Sequence, residues 1–188
     1  MLEIVATLSQ LARSSPHISQ HSGVSVRLSV SNFEVMVANA ARRSLLAGED
    51  EVVPRICDLE ALPASTAGKV EIESLEEGRE GQILDHLVRA AILTVFRERV
   101  SPENLTPVVA ALEERGPVDT GEDVASGEYL RLLDEIPSLR IPVAELTGED
   151  NSAASVASAI ELVFEGLHQA KRLNKDAIGG RAKYRARG

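Results

Sequence analysis

The chain has 188 residues, enough for one ordinary domain or two small ones around a real hydrophobic core. Aromatic residues are scarce and Trp is absent, so Leu, Val, Ile and Ala must build that core, which favours helices packed through aliphatic stripes and predicts a mainly α fold. The net charge of −9 argues against a surface devoted as a whole to nucleic acid, and the single cysteine, Cys57, leaves no partner for an internal disulfide or a cysteine-based zinc site.

The first predicted helix begins almost at Met1, with a stripe of Leu2, Val5, Leu8 and Leu11 flanked by Ile4 and Ala12, and it meets loop residues at SSPHISQHSG. The same start holds an acid and no basic leader, so it does not read as a signal peptide. No apolar run approaches the ~20 residues needed to cross a bilayer, and a cytoplasmic location is expected.

A second helix is predicted over residues 31–47. Ser31 and Glu34 have capping-box spacing, Val30 can staple to Val35, and the apolar face is Phe33, Met36, Val37, Ala40, Ala41 and Leu45, with Gly48 as the stop. A short third helix is predicted in EVVPRICDLEAL, because Pro54 is tolerated in a first turn. Val70 and Ile72 alternate with Lys69, Glu71 and Glu73, which fits one short β element around residues 69–73.

The strongest period in the chain starts near Glu80: Ile83, Leu84, Leu87, Val88, Ala91, Ile92, Val95 and Phe96 predict a core helix. SPEN resets the chain, a helix follows through TPVVAALEERG, and the polar segment 116–127 reads as a loop that can divide two helical halves. YLRLLDEIP, IPVAELTG and a long helix over 152–173 complete the helical part. The expected organisation is a helical lid-like region at 1–75, a C-terminal helical region at 76–174, and a disordered tail at 175–188.

Charge is segregated along the chain. The stretch from Lys171 to Gly188 holds seven Lys or Arg and one Asp, a surplus of six, so with a total of −9 the first 170 residues carry −15. Such a tail can meet nucleic acid, an anionic membrane or an acidic protein, or serve only solubility; an acidic protein ranks ahead of nucleic acid.

Catalytic motifs are missing. Gly68-Lys69 lacks the upstream glycine and the following Ser or Thr of a P-loop, and there is no G-x-G-x-x-G, H-E-x-x-H or G-x-S-x-G. His17 and His21 have helical metal-site spacing, but Pro16 and Gly23 favour plain loop histidines. His86 and His168 border apolar stripes, and the pairs Glu76-Glu77 and Glu113-Glu114 fit solvated surface. No metal site is expected, and no cofactor is expected to be held by this chain alone.

The segments SGVSVR, FEVMVANAARR and FEGLHQAKRLNKD resemble the part that follows the ATPase core in bacterial AAA+ ATPases of the MoxR and magnesium-chelatase I-subunit type. That resemblance spans most of the chain, from the first helix through KRLNKD. It implies the helical lid and C-terminal extension of an ATPase whose P-loop core lies outside this sequence. ATP and magnesium are then implied for the parent, and the chain by itself is not expected to hydrolyse ATP. The implied partners are that core, neighbouring ring subunits and a von Willebrand A-type protein.

The family's sensor-two arginine reaches nucleotide phosphates from the lid, and Arg27 is the residue that best matches it. A guanidinium is permanently charged and bridges phosphate oxygens. The family's arginine sits in a helix's first turn, whereas the expected helix starts at Ser31. Arg42 and Arg43 are the fallback, and an ordinary surface arginine is the competing reading for all three. The alternative function is a free-standing helical adaptor that binds a partner through its acidic body or basic tail.

Overall fold

The computed structural model describes residues 1–19, 24–72 and 79–187. Helix α1, Leu2–Ser14, buries Ile4, Val5, Leu8 and Ala12 and leaves Leu2 exposed. Helix α2 is Val26–Ala47 and begins five residues before the predicted start. Ser25 is extended and its Oγ accepts the Arg27 N–H at 3.2 Å, so the cap is Ser25 and not Ser31. Leu28, fully buried, and Asn32, which donates to Thr66 Oγ1 at 3.0 Å inside the core, hold this early turn in place. The Val30 staple does not form, since Val30 is exposed.

Residues 51–55 are not helical, so the helix predicted in EVVPRICDLEAL appears only in its second half. Their carbonyls are taken by side chains from elsewhere: Glu51 O by Ser44, Val53 O by Arg43, and Pro54 O by Ser158 at 2.7 Å. A 3-10 turn follows at Ile56–Leu59, then α3, Leu62–Ala67, whose first turn holds Pro63. Around residues 69–73 a single antiparallel bridge joins Ile72 to Ile18, and Ser19 N–H reaches Glu71 O at 2.8 Å. Glu73, Glu76, Glu77, His21 and the 75/76 boundary lie outside the described residues.

Helix α4, Glu80–Arg99, and α5, Thr106–Arg115, match the apolar periods that predicted them. Next come β1, Val118–Gly121, inside the segment expected to be loop, then α6, Ser126–Glu135, and α7, Arg140–Thr147. Helix α8, Ala153–Gln169, is capped by Ser152 and ends four residues before the predicted limit. Lys171 takes a positive φ of 60°, and Arg172 N–H closes on Leu167 O, so the helix cannot continue.

The tail is ordered, and this corrects the expectation of disorder from residue 175. Strands β2, Leu173–Ile178, and β3, Arg181–Ala186, form a hairpin across Gly179-Gly180, both at positive φ as a two-residue primed turn requires. The sheet is antiparallel in the order β1-β3-β2, with Val118 opposite Tyr184 and Leu173 opposite Ala186. Its β content therefore lies outside the one element expected at 69–73, although the chain is mainly α. A side chain at Gly121 would strike the Gly180 carbonyl, so glycine lets β1 approach the turn.

One apolar cluster runs from Ile4 to Tyr184 and draws on α1, α2, α4, α8 and the inner sheet face. Helix α8 is buried along nearly its whole length. Gly166 makes room for the Phe96 ring of α4, because a Cβ there would clash with the ring carbons. Among the described residues no helix is long and apolar enough to cross a membrane.

Candidate functional site

Arg27 lies in the first turn of α2, with its side chain exposed. Its backbone N–H is bound to Ser25, whereas its guanidinium has no hydrogen-bond or ion-pair partner among the described residues. The 22-residue helix turns its positive dipole end toward that region. Beside Arg27 the helix exposes Val26 (70%), Val30 (50%) and Phe33 (42%), spaced as one helical stripe. The other two phenylalanines, Phe96 and Phe164, are buried.

The fallback arginines have other work. Arg42 pairs with Glu122 at the surface. Arg43 is buried, and its Nη2 donates to Asp58 Oδ2 at 3.0 Å and to Val53 O at 2.8 Å. His17 and His86 are exposed, and His168 Nδ1 lies 3.2 Å from Leu173 O. No cluster of metal ligands occurs among the described residues.

Toward the other end of α2, at Arg43, begins a buried polar network that sequence reading missed. Glu49 accepts from Ser126 N–H at 2.6 Å and from Arg55 at 3.1 Å, and Arg43 lies at 3.4 Å. Arg55, fully buried, also donates to Val124 O at 2.8 Å and stacks 5.1 Å from the centre of the Tyr129 ring. Burial pushes Glu49 upward, but hydrogen bonds from Ser126 and the charges of Arg55 and Arg43 prevail and hold it below the usual carboxylate value.

The network continues to α8. Tyr129 donates to Glu161 Oε1 at 2.6 Å, and Cys57 N–H reaches Glu161 Oε2 at 3.2 Å. Burial raises Glu161, and Tyr129, Arg55 and the Cys57 N–H only partly oppose it. One turn on, Glu165 accepts from Tyr184 at 2.5 Å, Gln169 at 2.6 Å and Lys175 at 2.8 Å. Burial pushes Glu165 up, yet the Lys175 charge and these hydrogen bonds leave it lowered. Burial also drives the Cys57 thiol well above its ordinary value, so it is no ready nucleophile.

These two acids were visible as a signal. Glu161 and Glu165 stand four apart in AIELVFEGL, a run too apolar to have a solvated face. They line a cavity of about 210 Å³ between α4, α8, the 3-10 turn and the inner sheet face. Three cations of β3 form surface ion pairs: Arg181 with Asp123, Lys183 with Asp119 at 3.5 Å, and Arg185 with Asp176 at 3.5 Å.

Comparison with family models, curated proteins and solved structures returned no match for this chain.

Proposed function

We propose that this chain is the lid and C-terminal extension of an AAA+ ATPase of the MoxR or magnesium-chelatase type, with Arg27 as the residue that senses bound nucleotide. The observation that carries this reading is the exposed, unpartnered guanidinium of Arg27 in the first turn of α2. An arginine held at a helix N-terminus presents fixed charge and unpaired N–H groups to a phosphate. The adjoining Val26, Val30 and Phe33 offer an apolar footing on which a core domain can seat.

On this reading ATP and magnesium belong to the P-loop core of the parent, which acts in the cytoplasm. Neighbouring ring subunits and a von Willebrand A-type protein are its partners. Arg42 and Arg43 serve the fold, and the tail contributes a sheet whose charges are paired at home, which weakens the adaptor alternative in its basic-tail form.

The test begins with the coding frame upstream of Met1, where a P-loop domain is expected. In the protein so encoded, Arg27→Ala should lower ATP turnover by about 10²–10³-fold, the loss typical of one donor to a developing charge, with an unchanged circular dichroism spectrum. Undiminished turnover would remove Arg27 from the nucleotide. Absence of a P-loop domain would end the motor reading in favour of the adaptor.

A further inference from the structure

We propose that the cavity between α4, α8 and the sheet binds a small organic cation, a primary ammonium on a short aliphatic stem. The site is independent of Arg27 and of the ATPase reading. At about 210 Å³ it is smaller than the ~300–1,000 Å³ of drug-sized pockets, so its occupant must be small. Ile56, Leu59, Val88, Ile92 and Ala182 supply apolar wall, which suits an aliphatic stem.

Charge selects the head group. Four carboxylates line the cavity, Glu60, Asp85, Glu161 and Glu165, against two cations, Arg89 and Lys175. Lys175 is already committed to Glu165. Glu161 has no ion-pair partner among the described residues; its contacts are the Tyr129 hydroxyl, the Cys57 N–H and the Cys57 Sγ at 4.0 Å. The nearby arginines are spoken for, Arg43 by Asp58 and Arg55 by Glu49.

A fully buried carboxylate without a cation is costly, and an apolar residue would pack α8 at less expense. A carboxylate offers about four acceptor positions, and Glu161, which lines the cavity, uses three of them at most in its present contacts. An ammonium placed there donates a hydrogen bond and supplies the missing charge in a site of low dielectric. Binding is non-covalent.

The experiment uses three four-carbon probes on the full chain, n-butylammonium, its isostere n-butanol, and butyrate, followed by calorimetry at neutral pH. The ammonium is expected to bind at least about tenfold tighter than the alcohol, with butyrate silent. Glu161→Gln should bring ammonium and alcohol within about twofold of each other, and Val88→Phe, which fills the cavity from α4, should abolish binding of both. Amide shift mapping on the parent keeps the question open to refutation if Glu161→Gln fails to fold: perturbations should centre on Cys57, Val88 and Ala182. Equal affinity for ammonium and alcohol, no binding of either, a Glu161→Gln protein that keeps the preference, or perturbations centred elsewhere would each overturn the proposal.

Discussion

Helices α2 and α8 invert the ordinary rule in opposite ways. Helix α2 buries Asn32, Arg43 and Ser44 while leaving Val26, Phe33, Leu45 and Leu46 in the open. Helix α8 is buried almost all round and still carries two acids into the interior. In both helices the misplaced polar groups have partners from distant chain: Asp58 and Thr66 for α2, Tyr129, Tyr184 and Lys175 for α8. The difference lies in what remains unmatched. Helix α2 is left with apolar surface facing outward, and α8 with a cavity-lining carboxylate, Glu161, that has no ion pair among the described residues. On the two proposals made above, the first is taken by a large neighbour and the second by a small one.

The sharpest way to break the comparison is at two adjacent arginines. Arg43→Ala strips a buried Asp58 of its cation and should cost about 3–5 kcal/mol in urea unfolding. Arg42→Ala, one position away, loses only an exposed pair and should cost less than about 1 kcal/mol. Equal costs would mean that the buried network is not what seats α2. Next in size, Gly166→Ala drives a methyl into the Phe96 ring and should destabilise by about 1–3 kcal/mol. Phe96→Leu in the same chain should recover part of that loss, which a double-mutant cycle would read.

The two acids of α8 should respond to pH with opposite sign. Glu165 has a lowered folded value, so its contribution is present above the ordinary carboxylate range and fades as pH falls through that folded value. Glu161 has a raised folded value, so its cost is absent in acid and grows as pH rises past the unfolded value toward the folded one. Urea midpoints from pH 3 to 7 should therefore show the gap between parent and Glu165→Gln widening in favour of the parent. The gap between parent and Glu161→Gln should move the other way. The smallest effect belongs to Phe33→Ser, which should leave stability of this chain within about 0.5 kcal/mol, because the ring contributes little to its core. A large loss there would show that the α2 stripe is internal packing and not a surface for a neighbour.

How far the fold could be read follows from which interactions are local. Helix α4 was legible, its start included to within a residue or so, since eight apolar positions repeat on one face and all but Ile83 are buried. The stop at Gly48 was also legible, and its left-handed geometry is a short-range property. The hairpin had a signal that the basic composition masked: Gly-Gly followed by Arg-Ala-Lys-Tyr-Arg-Ala, alternating with period two. The face of α2 was legible only at its centre: Met36 and Ala40 are buried as expected, whereas Phe33 and Leu45 are exposed and Asn32 and Arg43, which any hydrophobic scale ranks below them, are buried. Of the candidate site, Arg27 was singled out by sequence, while Arg55, Tyr129, Glu161 and Glu165 were not.

By itself the sequence determined the number and kind of most helices, the positions of several caps and the absence of a complete phosphate-binding or metal motif, because these rest on spacing within a few residues. Only the tertiary structure decided that Asn32 and Arg43 of α2 turn inward, that β1 joins a sheet, and that two acids are buried beside a cavity. A polar side chain can be buried only when a partner meets it, and here the partners arrive from far along the chain: Cys57 lies 104 residues from Glu161, and Arg55 lies 71 from Ser126.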